Sequence, residues 1–141
     1  MPKMIFVNLP VRNLPASTAF YVALGGKVNP RFSNDRATSL MFSDTIGVML
    51  LTHEHYRDFT QRPIGDARRE SQALLAITVD IRDAVDATLA RVAAAGGHAD
   101  PNPMQDHGFM YGYGRSVEDP DGYVWEVVWM DAAAHAEGVS A

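Results

Sequence analysis

ALGGKVNP at residues 23–30 returns as AAGGHADP at residues 94–101. Gly25-Gly26 matches Gly96-Gly97, and Pro30 matches Pro101. Each copy closes an amphipathic stretch. Ser17, Phe20, Tyr21 and Leu24 lead into the first at helical spacing, behind Pro15, which suits a first helical turn. Val85, Leu89 and Val92 lead into the second in the same way. A glycine pair after such a stretch reads as a helix stop, because glycine reaches the left-handed conformation without a Cβ clash. Ahead of each helix stands a strand candidate, MIFVNLPV at 4–11 and ALLAITVD at 73–80. After each helix come apolar runs parted by turns. Both halves therefore read strand, helix, then strands joined by hairpins. They become βαβββ twice over if the Gly-to-Pro segment is itself a strand; an unrelated α+β sandwich is the alternative.

The polar stretch 53–71, with Pro63-Ile64-Gly65 inside it, reads as a connector between the halves. The expected organisation is one domain over 1–141: a module at 4–52, the connector, a module at 72–131 and a short C-terminal tail. At 141 residues and 47% hydrophobic content the chain can bury a real core. A net charge of −5 argues against nucleic acid as a partner, which calls for a basic face. With no cysteine there is no disulfide, thiolate metal site or cysteine nucleophile. No segment approaches the roughly 20 apolar residues of a membrane helix. The N-terminus lacks a signal-peptide pattern, so a cytoplasmic location is expected.

SVEDPDGYVWEVVWM, residues 116–130, combines a tight turn at Pro120-Asp121-Gly122 with a strand. Alternation puts Val124, Glu126, Val128 and Met130 on one face and Trp125, Val127 and Trp129 on the other. Burying Glu126 in such a strand is costly unless it meets a metal, a hydrogen-bond donor or water.

VNLPVRNLPASTAFYVALGG and the DPDG-x-x-x-E strand resemble the opening and closing motifs of the glyoxalase / bleomycin-resistance / extradiol-dioxygenase (vicinal oxygen chelate) superfamily. The resemblance spans about residues 4 to 131. It implies an α+β fold of two βαβββ modules forming a half-barrel cavity, and a homodimer paired through sheet edges. It also implies a divalent metal in the metal-dependent members. The four ligand positions of those members fall on Phe6, Met49, Leu74 and Glu126. A phenyl ring, a thioether and an isobutyl group do not bind a hard or borderline cation. One carboxylate does not hold a catalytic metal that takes about three protein ligands. No cofactor is expected on this count.

Other histidines offer no replacement. His53 and His55 flank Glu54 in a stretch that reads as a polar turn or short helix, where residues two apart diverge by about 200°. His98 follows the second glycine pair, and His135 lies in the tail. His107 precedes a run containing Tyr111, Tyr113 and Arg115 that pairs with the Glu126 strand. These side chains could form a polar wall near Glu126, or the tyrosines could pack as cross-strand aromatics.

Three readings follow. One is a metal-free binder of a small organic molecule, with Phe6, Asn8, Met49, Leu74, Thr78, Tyr113, Arg115 and Val128 lining the cavity. A second is a metal-independent lyase or isomerase, with Glu126 as base and His107 or Tyr111 as acid. The third is a metal-dependent glyoxalase-like lyase or dioxygenase. Val7, Leu9, Val11, Leu75, Ile77 and Val79 should pack under the helices, leaving Phe6, Asn8, Leu74, Ala76 and Thr78 to face the cavity.

Overall fold

The computed structural model describes residues 1–101 and 112–131. The first half runs β1 (Ile5–Val11), α1 (Leu14–Leu24), β2 (Lys27–Val28), β3 (Ala37–Met41) and β4 (Ile46–Thr52). A single helical turn, α2 (His53–Tyr56), opens the connector. The second half runs β5 (Leu75–Thr78), α3 (Asp83–Ala94), β6 (His98–Ala99), β7 (Gly112–Glu118) and β8 (Val124–Met130). Each half is βαβββ, and the short strand after each glycine pair supplies the element that the sequence left open. The sheets repeat one order, β1-β4-β3-β2 and β5-β8-β7-β6. In both, the first and last strands are parallel neighbours and the remaining pairs are antiparallel.

The repeated glycines act alike in both copies. Asn13 caps α1 through its Oδ1, which accepts from the Ala16 amide at 3.0 Å. Gly25 ends that helix at φ 122° and Gly96 follows α3 at φ 92°. The next amide reaches back five residues, Gly26 to the Tyr21 carbonyl at 2.9 Å and Gly97 to the Val92 carbonyl at 2.8 Å. Gly97 has a second constraint: a Cβ there would lie 2.6 Å from the Phe20 ring. Glycine is thus needed where α1 and the end of α3 press together.

One core serves both modules. α1 buries Ser17, Phe20, Tyr21 and Leu24, and α3 buries Val85, Thr88, Leu89 and Val92. Leu9, Val11, Leu40, Val48 and Leu50 of the first sheet join Val117, Trp125 and Val127 of the second around these helices. Val7, Leu75, Ile77 and Val79 pack at its margin, as their alternation requires. The helix-bearing faces of the two sheets therefore turn toward each other, and the opposite faces turn away from the core.

The turn of the second module is stapled to the first. The Tyr21 hydroxyl donates to Asp119 Oδ2 at 2.6 Å and accepts from Trp125 Nε1 at 3.0 Å. Asp119 Oδ1 accepts from the Asp121 and Tyr123 amides, both at 2.9 Å. Asp121 in turn accepts from the Arg12 amide at 3.0 Å and from Ser17 Oγ at 3.3 Å. Desolvation pushes the Asp119 carboxyl up to about 6 even against these donors. The DPDG stretch thus does more than reverse the chain: its two acids hold the modules together.

Candidate functional site on the outward sheet faces

With Trp125 and Val127 committed to the core, alternation sends Glu126 to the opposite face. Its cross-strand neighbours are Ala76 on β5 and Ser116 on β7. Val124 and Val128 flank it along the strand. Glu126 is half-buried and has no hydrogen bond or ion pair among the described residues. On the first module, Asn8 sits beside Met49 in the same register that sets Ala76 beside Glu126. Met49 and Glu126 are thus equivalent positions, as are Phe6 and Leu74 two residues before Asn8 and Ala76. The Phe6 ring covers Gly47, where a Cβ would come within 2.7 Å of it. Phe6 is 46% exposed and Leu74 62%. Asn8, Ala76 and Thr78 are exposed on the same outward faces.

Tyr113 and Arg115 do not join this face. On β7 it is Gly114 and Ser116 that stand opposite Val128 and Glu126. Tyr113 and Arg115 share the helix side with fully buried Val117. There the Tyr113 hydroxyl donates to Asp86 at 2.8 Å, and Arg115 bridges Asp86 at 2.9 Å and Asp100 at 2.5 Å. The Arg82 guanidinium lies 4.6 Å over the Tyr113 ring. The Tyr113 and Arg115 hydrogen bonds hold the Asp86 carboxyl below its usual range. Arg115, held first by Asp100, is raised above its own. The polar wall expected near Glu126 therefore does not include Tyr113 and Arg115, which these carboxylates hold on the helix side. Gly112 and Gly114, opposite Met130 and Val128, stand on the outward side of β7. His107 and Tyr111 lie outside the described residues.

Of the remaining histidines, His135 lies outside the described residues, and His53, His55 and His98 lie on α2 and β6. His53 opens α2, and burial followed by the nearby Arg12 charge lowers its pKa. His55 Nδ1 sits 3.2 Å from Asp58 Oδ2. His98 lies on β6 opposite Glu118. Among the described residues, no three His, Cys, Asp or Glu side chains gather as a metal ion would require. No described helix is long and apolar enough to cross a membrane.

A cleft of about 980 Å³ lies beneath the connector. Its walls include Val7, Asn8 and Leu9 of β1 on one side and Ala73, Leu74 and Leu75 of the β5 segment on the other. Among the described residues β1 bonds only to β4 and β5 only to β8, and both strands line this cleft. A smaller hollow of about 320 Å³ lies between Asn8, Leu51, Tyr56, Phe59 and Thr60.

Two βαβββ modules joined through their helices, with equivalent positions on the outward sheet faces, define the glyoxalase-like fold. The chain belongs to the Glyoxalase/Bleomycin resistance protein/Dioxygenase superfamily, whose family model matches residues 3–127. Solved structures agree. A hypothetical protein from S. aureus superposes with a TM-score of 0.73 at 24% identity, over 92% of this chain and 94% of that one. A glyoxalase-related enzyme from Fulvimarina pelagi gives 0.71 at 24% identity, over 92% and 88%. The fosfomycin resistance protein FosX from Listeria monocytogenes gives 0.63 at 17% identity, over 93% and 93%. At these identities the likeness concerns fold. No curated protein matches the chain. The positions that the resemblance gives to the ligands of metal-dependent members carry Phe6, Leu74, Met49 and Glu126, of which only Glu126 offers a donor to a hard or borderline cation.

Proposed function

We propose that this protein binds a small organic molecule on the outward sheet faces without a metal ion, as a homodimer. The observation that carries the reading is Glu126, a half-buried carboxylate with no partner among the described residues, set between Ala76 and Ser116. A structural acid would be expected to have found a donor, as Asp119 and Asp121 have. The apolar walls come from Phe6, Met49, Leu74, Val124 and Val128, with Asn8 and Thr78 as further polar anchors. Such a mix of apolar surface and few polar groups is what small-molecule sites use. The acid/base reading of Glu126 takes His107 or Tyr111 as its acid, and both lie outside the described residues.

The test has two arms. Protein purified without chelators should carry transition metal far below one ion per chain; near-stoichiometric metal would refute the metal-free reading. A compound library should then be screened by thermal shift against the native chain and Glu126→Gln. Compounds that stabilise the native chain and lose that effect on the variant support the site. Hits indifferent to Glu126 would place binding elsewhere.

A further inference from the structure

The end of β4 is covered on both faces. Leu50 points into the core, so alternation sends Leu51 to the outward face, yet only 3% of Leu51 is exposed. What covers it is the start of the connector, where α2 packs on β4 and β1. Thr52 caps that turn through its Oγ1, which accepts from the His55 amide at 3.2 Å. Tyr56, Phe59 and Thr60 then stand around Leu51 and Asn8 and enclose the hollow of about 320 Å³. Phe59 is 70% exposed and is nevertheless held in place. His55 meets it in a T-shaped contact, with centroids 5.2 Å apart and planes at 78°. Asp58 Oδ2 lies 3.2 Å from His55 Nδ1 and 3.2 Å from the Arg36 guanidinium. The Arg36 carbonyl accepts from the Thr52 amide at 3.0 Å, which ties the same network to β4. An exposed phenyl ring gains nothing from water, but a ring fixed in advance spares a ligand the cost of ordering it. The polar groups here also have capacity left. Among the described residues, Asn8 Nδ2 reaches only the Phe6 carbonyl, at 3.5 Å, and the Tyr56 hydroxyl makes no hydrogen bond.

We propose that this hollow binds a flat, uncharged aromatic group of about two fused rings, laid against Phe59 with an amide-like substituent on Asn8 and Tyr56. The walls set the class. Phe59, Tyr56 and Leu51 supply aromatic and apolar surface, and Asn8 and Thr60 supply the polar end. None of the five side chains carries a charge at neutral pH, so a carboxylate or ammonium would be desolvated without a counter-ion. Size points the same way: a cavity of about 150 Å³ holds one benzene, and this hollow has about twice that volume. Asn8 offers a donor and an acceptor together, which is what a carboxamide presents in return. The inference deepens the proposed function and rests on it at one point: Asn8 belongs both to the hollow and to the outward face, so the ring end of the ligand joins the remainder there.

The probe is 2-naphthamide, titrated into the native chain and followed by its own fluorescence. Two relatives are titrated beside it: 2-naphthoate, which adds a charge, and the fully saturated decahydro-2-naphthamide, which is no longer flat. The naphthamide should bind saturably, and both relatives should bind about tenfold more weakly or worse, since one loses the ring contact and the other buries an unpaired charge. Phe59→Leu should weaken the naphthamide about tenfold, through the lost aromatic contact and area, while Phe59→Tyr should hold it within about twofold. Because Phe59 is exposed, both variants should melt with the native chain, and the comparison of the three compounds needs no variant at all. Equal binding of naphthoate or of the saturated amide would overturn the ligand class. Naphthamide binding that ignores Phe59→Leu would overturn the site, as would no binding up to the compound's solubility. If the naphthamide fails while thermal-shift hits still depend on Glu126, the hollow is refuted and the proposed function stands.

Discussion

Replacing Tyr21 with Phe removes one hydroxyl and should expose how strongly the modules are stapled together. That hydroxyl is fully buried, donates to Asp119 at 2.6 Å and accepts from Trp125 Nε1 at 3.0 Å. A hydrogen bond to an ionised group is worth about 1.5–3 kcal/mol, and an orphaned buried indole N–H adds about 1–3 kcal/mol. The expected loss at pH 8 is therefore roughly 3–5 kcal/mol. It should also depend on pH with a definite sign. Burial first raises the Asp119 pKa from 3.8 to about 6, and the Tyr21 bond opposes that rise. A carboxyl raised on folding contributes stability that is complete below its unfolded value and is lost as pH rises through the folded value. Without the Tyr21 donor the folded value climbs further, so the variant loses more than the native chain above pH 6. At pH 4.5 both carboxyls are protonated in the fold, and only the weaker neutral bonds are lost. Urea unfolding of the two chains at pH 4.5 and pH 8 measures the difference. A loss below about 1 kcal/mol, equal at both pH values, would refute the argument that Asp119 is an ionised anchor at neutral pH.

Other consequences are simpler. Glu126→Gln should change unfolding free energy by less than about 0.5 kcal/mol, since no partner among the described residues is left behind; a large drop in Tm would make Glu126 structural. Gly97→Ala should cost about 1–3 kcal/mol by driving a methyl into the Phe20 ring 2.6 Å away, read out in urea melts, and an unchanged midpoint would contradict the helix contact. Arg115→Met should leave the affinity of any thermal-shift hit unaltered, because its guanidinium pairs with Asp86 and Asp100 on the helix side. A tenfold loss of affinity would return Arg115 to the site.

Much of this protein is readable from local pattern. The echo at 23–30 and 94–101, with strand and helix ahead of each copy, pointed to two like modules, because glycine stops and apolar periods are properties of short segments; the two-residue strands β2 and β6 that complete each βαβββ were left open by it. The same periods assigned Phe20, Tyr21, Leu89 and Val92 to the core and Phe6, Asn8 and Glu126 to the other face, since a strand alternates with a period of two. The resemblance placed Met49 and Glu126 at matching positions of the two modules, and the strand registers agree. Tertiary structure alone decided what depends on contacts across the chain. Tyr113 and Arg115 could have stood on either side of β7 until the pairing of Ser116 with Glu126 settled it. Asp119 and Asp121 read as turn residues, yet they anchor onto Tyr21, Ser17 and Arg12, about a hundred positions away. Nor could alternation tell which way the two sheets face each other. That follows from α1 packing on α3, where Phe20 meets Gly97, a contact between surfaces that neither half contains by itself.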